Sequence, residues 1–341
     1  MMDRDPFLNF DDAEETSAPS DIPSAAGANA GGNDVDGSAS AQHSSLEDRQ
    51  QCSNEAAGPT TGITRLPSAK YHADPAPKPS LSTTLAKLLL TKSPKHAWCA
   101  SRRLNPDYVS VDKKTFDIGR AAHRAVLGFG DDYVAIPEHV LAKNGAASTD
   151  AAKAFIASCR EQGRVPLKDE EVDKIEQMRR VAHARLAEHG VTLDPDRSEL
   201  CAFAEIDGVW CRAMFDNVPV DPTAPIYDFK TCEDASPEAC LKSIINYGYD
   251  VQAVHYRDVW RTVTGELRDF VFIFQEKSEP HEVTLVKLSG SFHDLAERRV
   301  ARARRLWGKC VTANLWPGYP IGMHEVDPPA WLVERSLAEA M

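Results

Sequence analysis

Alternating and helical spacings of apolar residues divide the chain into elements in a definite order. Two runs, Glu199-Leu-Cys-Ala-Phe-Ala-Glu-Ile206 and Val209-Trp-Cys-Arg-Ala-Met-Phe-Asp216, flank Asp207-Gly208. Asp-Gly is the strongest short hairpin signal, because a type I′ turn needs positive φ at both central residues. A third strand-like run, Ile226-Tyr-Asp-Phe-Lys230, follows it. Phe270, Phe272 and Phe274 then alternate with Val271 and Ile273, and 281–288 alternates likewise, which predicts two more strands. A short strand is predicted over 133–136. Ser82 ahead of Leu85, Leu88 and Leu89, with Ser93-Pro94 beyond, predicts a capped helix, and a short helix around Ala97-Trp98 comes next. Helical spacing also marks 117–127, 151–160, 169–189, 237–245, 251–263 (ended by Gly265), 291–307 and a short stretch after Pro328-Pro329. Helices, three antiparallel strands, helices, then two strands and helices make an α/β core with a mixed central β-sheet flanked by helices.

Composition changes this picture at one end. Residues 1–68 carry twelve acidic and three basic side chains amid Ala, Gly, Asn and Ser, with few large apolar residues. Such a segment buries too little surface to offset its ordering entropy, so it reads as a disordered acidic leader. It also supplies −9 of the net charge of −12. The remainder is close to neutral, and overall acidity does not argue against a polyanionic partner. The rest divides into a body over 69–316 and a tail over 317–341. Met1-Met2-Asp3-Arg4-Asp5 lacks the regions of a signal peptide, and no apolar run reaches the roughly 18 residues of a spanning helix. A cytoplasmic location away from membranes is expected. The eight cysteines include no CxxC, so neither a zinc ribbon nor a disulfide scaffold is indicated, although Cys201 and Cys211 come close to opposing one another in the hairpin.

The candidate chemistry lies on the hairpin and the strand after it. Asp228 and Lys230 are two apart, so on an extended strand they share a face with Ile226, while Tyr227 and Phe229 face the other layer. If Ile206 pairs with Val209, the register sets Glu199 opposite Asp216, with Cβ atoms about 4.5–5.5 Å apart. Carboxylates so placed repel unless a proton or cation sits between them, and hard oxygen donors suit Mg²⁺ or Mn²⁺. The spacing equally allows an exposed acidic pair at a sheet end, with a bulge turning one acid away. Gly119 and His123 share a helix face, as do Gln252 and Tyr256; a surface or core pair accounts for either spacing on its own. Arg298, Arg299, Arg302, Arg304 and Arg305 crowd one helix and suit phosphate, a solvated face or a subunit contact.

Taken in order, Gly119-x3-His123, Glu199, Asp216, Asp228-x-Lys230 and Gln252-x3-Tyr256 resemble the motifs of the PD-(D/E)xK nuclease superfamily and, within it, the RecB-like exonucleases. Phe116-Asp-Ile-Gly-Arg-Ala-Ala-His123, Ile226-Tyr-Asp-Phe-Lys-Thr231 and Tyr247-Gly-Tyr-Asp-Val-Gln252 look most like the exodeoxyribonuclease VIII (RecE-type) domain of phage and prophage recombination systems. Phe215 stands where the superfamily's name has proline. The resemblance implies a restriction-endonuclease-like core and a Mg²⁺-dependent (or Mn²⁺-dependent) exodeoxyribonuclease. It would act on linear duplex DNA ends, 5′→3′, in single-strand-annealing recombination. It further implies that His123, Asp216, Asp228 and the Phe229 carbonyl bind metal, that Lys230 acts on the attacking water or the phosphate, and that Glu199 is an additional catalytic acid. Gln252, Tyr256 and Gly119 would support the site and touch DNA. A homo-oligomer and a RecT-type annealing partner are implied as well. Other readings on the same fold are a structure-specific endonuclease, a helicase-associated nuclease module, or an inactive DNA- or partner-binding module.

Overall fold

The computed structural model describes residues 61–109 and 117–339, so most of the acidic leader lies outside the described residues. A six-stranded sheet has the order β1-β4-β5-β6-β7-β8. It comprises β1 (Gly62–Arg65), β4 (Ser198–Ile206), β5 (Val209–Asn217), β6 (Ile226–Cys232), β7 (Phe270–Glu276) and β8 (Val283–Lys287). All neighbours are antiparallel except β6 and β7, so the sheet is mixed, as expected. Two short parallel strands, β2 (Tyr133–Ala135) and β3 (Val165–Leu167), form a second sheet.

Local chemistry explains most element boundaries. Asp207 and Gly208 both have positive φ, 52° and 74°, which closes the β4–β5 hairpin with Ile206 opposite Val209. Ser82 accepts a hydrogen bond from the Leu85 N–H and starts α2 (Thr83–Thr91); Ser236 does the same for Ala239 at the start of α7 (Pro237–Tyr247). Gly248, left-handed at φ 61°, turns the chain from α7 directly into α8 (Tyr249–Thr264).

The sheet is covered on both faces. On one, Phe215, Ile226, Phe270, Phe272 and Phe274 pack against α2, α8 and α9 (Gly290–Ala313), with Trp260 and Trp307 fully buried. On the other, Tyr227, Phe229, Val271 and Ile273 pack against α4 (Asp117–Leu127) and α6 (Asp169–Glu188). Strand β6 is thus anchored from both sides, and the alternation that places Ile226 opposite in sense to Tyr227 and Phe229 holds.

Several expectations need correction. Gly62–Arg65, which composition placed in the leader, is the sheet's edge strand, paired with β4 through Gly62↔Phe203 to Arg65↔Leu200. Cys201 pairs with Met214 and Cys211 with Ala204, so the two thiols are not opposed. On α9 the five arginines divide: Arg304 is buried and ion-paired to Asp207 and Asp258, and Arg299 is paired to Asp250, whereas Arg298, Arg302 and Arg305 are exposed. The tail carries a helix, α10 (Ala330–Glu339), as expected after Pro328-Pro329. No described helix is long and apolar enough to cross a membrane.

One buried polar group sets an acid limit on this core. His255 on α8 is fully buried, its Nε2 3.1 Å from the Arg212 carbonyl and its Nδ1 without a partner. Burial pushes its pKa down to about 4. A histidine whose folded pKa lies below its unfolded value binds fewer protons when folded. Its stabilising effect is therefore complete above about pH 6.5 and is lost as pH falls toward 4, a change of about 3 kcal/mol. His255→Gln is expected to flatten the fall in unfolding midpoint between pH 6.5 and 4.5, measured by urea titration; an unchanged slope would contradict this.

Candidate active site

The β5 and β6 strands pair through a single position, Asn217↔Tyr227, and then part. Asp216 precedes that pair on β5 and Asp228 follows it on β6, so both carboxylates look into the opening. Asp216 stitches the gap: its Oδ2 accepts the Phe229 backbone N–H at 2.7 Å, a bond the ladder would otherwise supply. Phe229 therefore reaches the site through its peptide, while its ring lies in the opposite layer of the core.

The rest comes from further along β6 and from α8, α4 and β4. Lys230, two residues along β6, forms an ion pair with Asp228, as the shared strand face requires. Gln252 on α8 donates from Nε2 to Asp228 Oδ2 at 2.6 Å. His123 on α4 lies between two acids, with Nε2 3.2 Å from Asp216 Oδ1 and Nδ1 3.7 Å from Glu199 Oε1. Gly119, one turn earlier, brings α4 close to β6: a Cβ there would stand 3.4 Å from Thr231 Oγ1.

Glu199 reaches the site by a different geometry from the one the register implied. The ladder runs Ser198↔Asn217, then Leu200↔Phe215, and skips the Glu199–Asp216 position, where Glu199 is left-handed at φ 51°. This local irregularity does not turn the acid out to solvent. Its carboxylate points toward His123 and the loop at Gly130, where a Cβ would come within 2.9 Å of Oε1. Tyr256 is buried, its ring 5.2 Å from that of Phe215 and 6.1 Å from that of Phe270. It backs the strand that carries Asp216.

The electrostatics follow from burial. Asp228 is 1% exposed. Desolvation, with the Asp216 charge, raises its pKa to about 6 against the pull of Lys230 and His123. Asp216 is desolvated too, but the charge and hydrogen bond of His123, then Lys230 and the Phe229 N–H, hold its carboxyl below the usual range. Burial raises Glu199. Burial works against charge on Lys230 and His123 also; Asp228 and Asp216 outweigh it for Lys230, and Asp216 and Glu199 for His123, so both stay cationic more readily than in water. Two buried acids are thus held in opposite directions, the pattern typical of functional carboxylate pairs.

The donor types suit a hard divalent cation. Asp216, Asp228 and Glu199 offer carboxylate oxygens and His123 an imidazole, while the Lys230 ammonium lies against Asp228 Oδ1. Among the described residues no three such side chains form a ready-made coordination cluster. Tyr249 and Lys87 adjoin the site: the Lys230 ammonium lies 5.2 Å and the Lys87 ammonium 4.9 Å from the Tyr249 ring centroid. Nothing in local spacing links Lys87 on α2 to this site.

A mixed sheet with an acid on one strand and Asp-x-Lys on the next defines a PDDEXK-like fold. A family model described as a PDDEXK-like domain of unknown function (DUF3799) matches residues 82–324, and the chain belongs to that family. All the residues of the cluster fall within the matched span. No curated protein matches the sequence. Solved structures to which the chain is similar include a Eubacterium rectale protein assigned as an exonuclease, at 15% identity and TM-score 0.48, covering 76% of this chain and 97% of that one. A phage-related exonuclease of Haemophilus somnus 129PT matches at 15% identity and TM-score 0.27, covering 57% and 95% respectively. An alkaline exonuclease of Laribacter hongkongensis matches at 12% identity and TM-score 0.22, covering 67% and 100%.

Removing the Lys230 ammonium leaves two buried carboxylates short of a counter-charge. Lys230→Ala is expected to destabilise the fold by about 3 kcal/mol at pH 8. The penalty should shrink as pH falls from 8 toward about 6, because without the pull of Lys230 the Asp228 carboxyl takes up its proton at a higher pH than in the wild type. Unfolding midpoints of wild type and variant across pH 5–8 check this, and a difference independent of pH would contradict it.

Proposed function

We propose that the protein is a metal-dependent deoxyribonuclease that hydrolyses phosphodiester bonds of linear duplex DNA from an end. The observation that carries this is the convergence of Asp216, Asp228, Lys230, His123 and Glu199 at the point where β5 and β6 part. A phosphodiester resists attack because its oxygens are anionic, so a site for its hydrolysis needs concentrated positive charge and a place to put a proton. Asp216, Asp228 and His123, with the Phe229 peptide alongside, are the residues that would hold a divalent ion. When bound, Mg²⁺ or Mn²⁺ supplies Lewis-acid activation of water and screens the developing charge.

The chain's own groups do the remainder. Lys230 is held protonated by Asp228 and Asp216, so it serves as a fixed donor and positive charge toward the phosphoryl oxygens, not as a base. Gln252 fixes the Asp228 carboxylate, and Tyr256 backs the strand behind Asp216. Glu199, its carboxyl raised by burial, can take up a proton beside His123. Arg298, Arg302 and Arg305, spaced four and three apart on the exposed side of α9, offer a stripe for the phosphate backbone. Resection in the 5′→3′ direction, a RecT-type annealing partner, a role in recombination and a homo-oligomeric state extend the proposal on the strength of the sequence resemblance.

A 5′- or 3′-labelled linear duplex and a covalently closed circle, each with Mg²⁺ or EDTA, test the reading. Mononucleotide release from the linear duplex alone, only with metal, is expected. Asp228→Asn and Lys230→Ala should each lower the rate by about 10²–10³ or more while DNA binding persists. Cutting of the closed circle would reassign the protein as an endonuclease, and binding without cleavage of either substrate would make it a DNA-binding module.

A further inference from the structure

The left-handed Gly248 joins α7 to α8 and leaves Tyr247 and Tyr249 on either side of the turn. Their rings are 5.6 Å apart, inclined at 35°. Tyr249 leans inward, stacked toward Phe272 and Phe274 and close to the Lys230 ammonium. Tyr247 faces outward and is 62% exposed, a large ring that packing does not require at this position. From α2, the stem of Lys87 crosses Gly248 so closely that a Cβ there would lie 3.4–3.5 Å from its Cγ, Cδ and Cε. This crossing sets the Lys87 ammonium against the same Tyr249 ring.

Lys87 has no carboxylate partner of its own among the described residues. Asp228 is engaged by Lys230 and Gln252, and Asp250 by Arg299. Burial, and then the neighbouring Lys230 charge, push its pKa down to about 8. A half-buried ammonium that shares one aromatic ring with a second ammonium is a poor structural choice and a good anion site. The anion class follows from its neighbours: the Lys87 ammonium lies against Tyr249, whose ring is 5.6 Å from that of the exposed Tyr247, and a cation near an exposed aromatic face is the combination that binds single-stranded nucleic acid, by phosphate contact and base stacking.

We propose that Lys87, Tyr249 and Tyr247 form a nucleotide subsite adjoining the reaction centre, in which Lys87 takes the phosphate next to the scissile one and the Tyr247 ring stacks on the base of that nucleotide. The proposal rests on the nuclease reading and deepens it. A base stacked on Tyr247 has the ring in place of a neighbouring base on one face, as at a strand end or in a single strand. Gly248 is the hinge residue that lets the lysine stem and the two rings occupy one small surface.

The test is equilibrium binding of a fluorescein-labelled single-stranded oligodeoxynucleotide to the full chain in EDTA, read by anisotropy over a range of salt. A base-free deoxyribose-phosphate oligomer of equal length is measured alongside. Tyr247→Ala is expected to weaken oligonucleotide binding by roughly 5- to 100-fold, Tyr247→Phe to restore it, and the base-free oligomer to be insensitive to either change. Lys87→Met, which keeps the apolar stem, should weaken both oligomers and lower the salt slope by about one phosphate contact. Wild-type affinity in Tyr247→Ala, an equal loss on the base-free oligomer, an unaltered salt slope in Lys87→Met, or no oligonucleotide binding by the wild type would each overturn the subsite. Failure of the nuclease reading shows elsewhere, as undiminished cleavage by Asp228→Asn.

Discussion

Two carboxylates set side by side where the central strands of a sheet part repel each other, and this site exists because the surrounding structure holds them there. Asp216 and Asp228 lie on neighbouring strands that share one paired position and then separate. Separation opens room for chemistry, but it leaves backbone groups without ladder partners. The Asp216 side chain answers that need for the Phe229 N–H, so the same carboxylate that faces the site also ties the two strands together. Lys230 and His123 balance the charge, one from the strand itself and one from the helix that crosses it. Removing either acid would disturb the fold as well as the chemistry.

The rest of the architecture serves to keep β6 immobile. Apolar layers cover it on both faces, so Asp228 and Lys230 project from a strand that cannot shift register without exposing Ile226 or Tyr227 and Phe229. Helix α8 adds a second constraint: Gln252 bonds Asp228 while Tyr256, one turn on, packs behind Phe215. Both side chains are largely buried and touch the strands that carry the two acids. At the start of that helix Tyr249 leans inward against Phe272 and Phe274, and the ring that faces outward is Tyr247, before the glycine.

Where the deciding physics is local, the sequence displays it. The strand alternation around Asp228, the Asp207-Gly208 turn, the Ser82 and Ser236 caps and the glycine helix stops are all set by neighbours a few residues away. The gathering of His123, Asp216, Asp228 and Lys230 was legible as an ordered set of motifs. Other features depend on distant contacts and left no local mark. Gly62–Arg65 has the composition of the segment before it and is a strand only because β4 offers an edge. Val165-Pro166-Leu167 is too short to signal a strand without β2 beside it. The left-handed backbone at Glu199 breaks the hairpin pairing at one point while keeping the acid in the site. The burial of Arg304 and the approach of Lys87 to Tyr249 likewise emerge only once helices from opposite ends of the chain are packed.

The central claim is that these acids and the imidazole share one divalent cation. Titration of the wild-type chain with Mn²⁺, followed by electron paramagnetic resonance of the free ion, tests it without reference to any substrate. The account predicts saturable binding in the wild type that Asp216→Asn and Asp228→Asn each abolish. Binding of the same stoichiometry and affinity in both variants would contradict it.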